Sequence, residues 1–136
     1  MSDVATQLTA QQLIRWSIIQ NAVASKAAVL TEELTPENVD EIFEESEHDT
    51  LSEACYEFRE GTVETNIPHE WSRHYEAKSV ASPMHNGQWV GWTYWYGGGK
   101  HGNPEAIDWM SDAYLLDCKE EEKTVTVRTF TRQVAA

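Results

Sequence analysis

Two segments hold residues whose types and spacing could do chemistry. The first is His69-Glu70-Trp71-Ser72-Arg73-His74. Two histidines beside a glutamate suit a zinc protease helix, in which the histidines sit at i and i+4, about 40° apart. Here they are five residues apart, roughly 140° at 3.6 residues per turn, so a regular helix cannot aim both at one metal. They read as surface loop histidines beside an anchoring Trp71. The expected metal is none.

The second segment is Gly97-Gly98-Gly99-Lys100-His101-Gly102. A phosphate-binding loop needs a glycine five positions before Gly99, where Tyr94 stands. It also needs a hydroxyl after the lysine, where His101 stands. A looser function survives, in which backbone N–H groups, Lys100 and His101 hold an anion at the mouth of a following helix. Trp92, Trp95 and Trp109 would be its walls. The bland alternative is that the glycines let the chain turn sharply. Asp108, Asp112 and Asp117 lie nearby and with His101 could supply acid–base groups. A solvated face is the competing explanation for them.

Charge gives a stronger signal. Net charge is −13 over 136 residues. Thirteen acids lie between Glu32 and Glu64 against one base, Arg59. Such a surface repels nucleic-acid phosphates and anionic membranes. It suits a basic partner. The expected contacts are Glu37, Asp40, Glu41, Glu44, Glu45, Glu47, Glu53 and Glu57. The run Asp40–Asp49 lacks the alternating ligands and central glycine of a calcium loop. It follows helical periodicity instead.

Cys55 and Cys118 are too few for a disulfide framework and form no C-x-x-C pair. They read as small hydrophobes. No basic and apolar leader opens the chain, and no apolar run approaches the roughly 20 residues that span a bilayer. The expected location is cytoplasmic. No cofactor is expected.

The elements that would position these groups follow from periodicity. Thr9 with Gln12 fits a capping box opening a helix to about Leu30. That helix is apolar on two sides, through Trp16, Ile19, Val23, Ala27 and Leu30 and through Ile14, Ile18, Ala22 and Val29. Such a helix is either central in its own domain or a homodimer surface over 9–30. A second helix is predicted from Thr35-Pro36, with Val39, Ile42 and Phe43 buried. A third is predicted from Thr50, with Leu51, Ala54, Cys55 and Phe58 as its apolar stripe, ending at Gly61.

Residues 62–74 look irregular. Asn86-Gly87 predicts a two-residue turn joining Tyr75–Met84 to Gln88–Tyr96. The second strand is aromatic on both faces and reads as central. Asn103-Pro104 opens a short helix to Ala113. Tyr114–Cys118 and Lys123–Thr131 read as a last hairpin, the latter strongly β-prone.

The fold class is therefore α+β, one domain over 1–136: three N-terminal helices packed on a C-terminal β-β-α-β-β antiparallel sheet. The expected function is that of a non-enzymatic acidic interaction protein. It would act as an inhibitor or nucleic-acid-mimic decoy against a basic protein surface, such as that of a nucleic-acid-binding protein. The alternative is a small anionic-ligand-binding protein or enzyme with its site at Gly97–Gly102.

Overall fold

The structure is a computed structural model that describes residues 7–99 and 102–134. Three helices precede a four-stranded antiparallel sheet, an α+β arrangement.

Helix α1 spans Ala10–Ala24. Its start is the expected capping box: the Gln12 N–H donates to Thr9 Oγ1 at 3.1 Å and the Thr9 N–H to Gln12 Oε1 at 2.9 Å. It stops six residues before Leu30, and the bonding shows why. Lys26 takes a left-handed φ of 66°. Its N–H donates to the Val23 carbonyl at 3.0 Å, and the Ala27 N–H to that of Ala22 at 2.9 Å. This is a Schellman stop built on lysine instead of the usual glycine. No glycine marked the position, so the sequence offered no stop signal.

Helix α2 spans Val39–Ser46 and α3 spans Ser52–Phe58. Ahead of α2, Thr35 and Asn38 exchange side-chain-to-backbone bonds of 2.7 and 3.1 Å. The start predicted at Thr50 falls two residues early; α3 begins at Ser52 and has no side-chain cap. Gly61, at φ 71°, closes the turn after α3 as expected.

Strands β1 (Val63–Glu64), β2 (Glu76–Pro83), β3 (Trp89–Tyr96) and β4 (Tyr114–Leu116) form the sheet in that order. β1 falls in the stretch expected to be irregular. The hairpin between β2 and β3 has a three-residue loop, not a two-residue one. Met84 pairs with Gln88 through a 2.8 Å bond, and the Gly87 N–H donates to the Met84 carbonyl at 3.0 Å. Gly87 takes φ 87° while Asn86 stays at negative φ. That is a turn followed by a glycine bulge, the next commonest hairpin connection.

Register sorts the side chains. Val80 opposes Trp92 and Ser82 opposes Val90, so these share the face toward the helices. There Val80, Val90 and Trp92 join Leu13, Ile14, Ile18 and Phe43 in the core. Ile14, Ile18, Ile19 and Ala22 of α1 are 1% exposed or less. The line through Ile14, Ile18 and Ala22 is thus spent inside the domain, while Trp16 and Val23 of the other line are half-buried at its rim. The opposite face carries Trp89, Gly91, Thr93 and Trp95 with Ala81 and Tyr114.

Two expected elements differ. The helix of 105–113 is only a 3-10 turn, Pro104–Ala106. Residues 123–131 form no hairpin with β4; from Asp117 to Val134 the chain has no helix or strand. β propensity measures how well a residue fits beside a neighbouring strand. No strand of this chain takes these residues up. Among the described residues, no helix is long and apolar enough to cross a membrane.

Candidate functional site

Helix α2 is short, and its burial is one-sided: Val39 and Phe43 are buried. Glu37, Glu41, Glu44 and Glu45 are exposed, and Asp40 is half-buried. Arg15 of α1 reaches across. Its Nη1 lies 2.8 Å from Asp40 Oδ1 and 3.5 Å from Glu44 Oε1. Its guanidinium sits 4.8 Å from the Phe43 ring centre. Gln12 Nε2 donates to the other Asp40 oxygen at 3.0 Å. Arg15 therefore offsets the like-charge repulsion of Asp40 and Glu44, which stand four residues apart. Glu41 and Glu45, with the same spacing, make no ion pair among the described residues.

The one base of the acidic stretch is missing from this surface. Arg59, at the end of α3, is only 6% exposed. Its Nη1 donates to the Trp95 carbonyl at 2.9 Å, and its guanidinium lies 4.7 Å from the Tyr56 ring and 5.0 Å from the Tyr94 ring. Its own carbonyl accepts the Trp92 indole N–H at 2.8 Å. Hydrogen bonding and ring faces hold the cation inside the fold. So the carboxylates outside are left with little compensation. Being a lone arginine among acids was the only signal of this in the sequence.

Helix α3 presents its acids elsewhere. Glu53 and Glu57 are exposed and line a cleft of about 680 Å³ between α1, α3 and the β2–β3 loop. Ser17, Gln20 and Asn21 form its α1 wall, and His85 closes the loop side. His85 stacks on Trp16 at 4.5 Å, and burial lowers its pKa. Sequence reasoning missed this cleft because its walls come from three distant segments. The carboxylates of α2 and α3 thus occupy two settings, an outer helix face and a cleft wall. Glu47 is half-buried, 3.6 Å from His48. Nearby, burial and then the Glu47 charge push the Cys55 thiol up to about 11, against the pull of Arg59. Burial likewise raises Tyr94, with Arg59 opposing it.

In its described part the glycine loop turns sharply and packs closely at Gly98 and Gly102. Gly97, Gly98 and Gly99 take φ of 78°, 90° and 60°. A Cβ on Gly98 would lie 2.8 Å from both Gly102 Cα and the Tyr75 ring. The Asn103 N–H donates to Tyr75 Oη at 3.1 Å. Lys100 and His101 lie outside the described residues. The expected walls do not converge. Trp92 and Trp109 meet in the core at 5.3 Å, while Trp95 faces the other side of the sheet.

Asp108, Asp112 and Asp117 are exposed on non-helical chain. His69 and His74 are also exposed. Trp71, expected as an anchor, is 84% exposed. Among the described residues, no group of three or more His, Cys, Asp or Glu side chains could hold a metal.

Comparison with known proteins gives no match: no family model, curated protein or solved structure is significantly similar to this chain.

Proposed function

We propose that this is an acidic interaction protein that binds a basic protein surface through the outer face of α2. The observation that carries it is the exposure of Glu37, Glu41, Glu44 and Glu45 while Arg59, the base of the same stretch, is buried. A surface of one sign raises the local concentration of an oppositely charged partner and speeds encounter. The partner class is a protein whose basic groove serves a polyanion, for which these carboxylates would stand in as phosphate mimics.

The test is affinity capture from lysate at low and high salt, with the wild type and with Glu41→Lys/Glu44→Lys/Glu45→Lys. A basic protein should be retained at low salt and released at high salt, because screening shortens from about 10 Å at 0.1 M to about 3 Å at 1 M. The triple variant should associate with the captured partner about tenfold more slowly, or worse. If no basic protein is retained at low salt, or the variant binds unchanged, the reading fails.

A second reading, a small-ligand binder, draws support from the cleft of about 680 Å³, a volume usual for such sites. Glu53 and Glu57 on its wall favour a cationic or polyol ligand over an anion. Titrating polyamines and sugars while following Trp fluorescence checks this. A flat response across both classes retires it.

A further inference from the structure

Residues 123–134, the last of the described chain, are exposed throughout. Val125, Val127 and Phe130 are 76%, 83% and 85% exposed. Alternation puts Val125 and Val127 on one side of an extended arm and Phe130 on the other. The side of Val125 and Val127 is apolar and β-branched, while the other carries Phe130 with Arg128 and threonines, so the first is the side suited to packing. Its threonines and valines are also the residues that fit beside another strand.

The sheet offers a place for it. β4 is the last strand in the order and only three residues long, so its outer edge has free backbone donors and acceptors. Leu115 on that edge is 47% exposed. It opposes Val90 and so points to the helix side, while Tyr114 and Leu116 point to the other. An added strand with one apolar side would cover Tyr114 and Leu116.

Charge names the source of the strand. Residues 123–134 hold Lys123, Arg128 and Arg132 and no acid, a net +3. The whole chain carries −13, so the rest carries −16. Asp112 and Asp117 bracket β4 and are both exposed. They are five residues apart in sequence, as are Lys123 and Arg128, with Asp112 in the turn that leads into β4. With Lys123 beside Asp112 and Arg128 beside Asp117, the arm of one copy sets Val125 and Val127 beside Tyr114 and Leu116 of another.

We propose that the protein is a symmetric dimer in which residues 123–131 of each copy add as a strand beside β4 of the other. Reciprocal exchange closes the assembly, since each copy gives one arm and fills one edge. This does not depend on the acidic-face reading.

Light scattering on the full chain tests it, with Val127→Pro as the variant. Proline removes a backbone N–H and does not fit within a sheet ladder. Val127 touches nothing that the fold needs, so circular dichroism should match the wild type. The wild type should weigh twice the 15.5 kDa of one chain and the variant once. Hydrogen exchange should show slow arm amides in the wild type and fast ones in the variant. A monomeric wild type overturns the proposal, including one with slow arm amides, which would mean that the arm folds back on its own β4. So does a dimer that persists in Val127→Pro.

Discussion

Trp92 gives the sharpest test of how the two halves are joined. It is fully buried and joins two distant parts of the chain, the end of α3 and the segment around Trp109. Its ring stacks on Phe58 of α3 at 5.6 Å and meets Trp109 at 5.3 Å. Its indole N–H donates to the carbonyl of Arg59 at 2.8 Å. Trp92→Phe keeps an aromatic ring but loses the donor and part of the volume. Leaving a buried carbonyl unpaired costs about 1–3 kcal/mol. The lost ring atoms leave a partial void that adds on the order of 1 kcal/mol. The total is about 2–4 kcal/mol, a large part of the roughly 5–15 kcal/mol that holds a domain folded. Trp71→Phe is the control. It changes a residue 84% exposed, and the expected effect is within about 0.5 kcal/mol.

Urea unfolding followed by circular dichroism measures both variants, with the slope checked for constancy so that a midpoint shift reads as stability. If Trp92→Phe costs less than about 0.5 kcal/mol, the indole bond and the packing do not contribute as argued. If Trp71→Phe costs as much as Trp92→Phe, exposure is not what separates them.

Three further outcomes follow from the same geometry. Cys118 is exposed and Cys55 is partly buried with its thiol raised to about 11, so a thiol reagent at neutral pH should label Cys118 quickly and Cys55 only on unfolding; equal rates would contradict this. Because the folded state keeps the Cys55 proton where the unfolded thiol, near 8.5–9, has lost it, stability should fall between about pH 9 and 11. A Cys55→Ala variant should lose that part of the fall, as read by urea midpoints across the window. Gly98→Ala places a Cβ 2.8 Å from the backbone of Gly102 at φ 90°, so it should cost about 1–3 kcal/mol; a neutral result would show that the loop is loose.

Several features were legible from residue type alone. The Thr9–Gln12 box is local, three residues apart, and it opened the helix where expected. The Asn86-Gly87 signal placed the hairpin correctly, though its loop is one residue longer because Gly87 alone takes positive φ. Alternation along Trp89–Tyr96 identified a central strand. These are short-range properties, set by backbone sterics and by which neighbours a period of two or 3.6 brings together.

What the sequence could not sort was which of several similar residues goes inside. Six tryptophans look alike in the chain, yet Trp92 is core and Trp71 is surface, because only the sheet register and the arrival of Phe58 and Trp109 decide it. In the sequence Arg59 is one base among acids, with nothing to mark it as buried. The tertiary structure buries it between Tyr56 and Tyr94, from segments far apart, and leaves the carboxylates outside largely uncompensated. The cleft beside Glu53 and Glu57 is likewise made by three segments meeting. Residues 123–131 have strong β character, but propensity does not say which edge, of this copy or another, takes them up. Residue chemistry thus determined the local elements and the excess of negative charge. Long-range packing alone decided which charges meet water, because burial is a property of the neighbours and not of the residue.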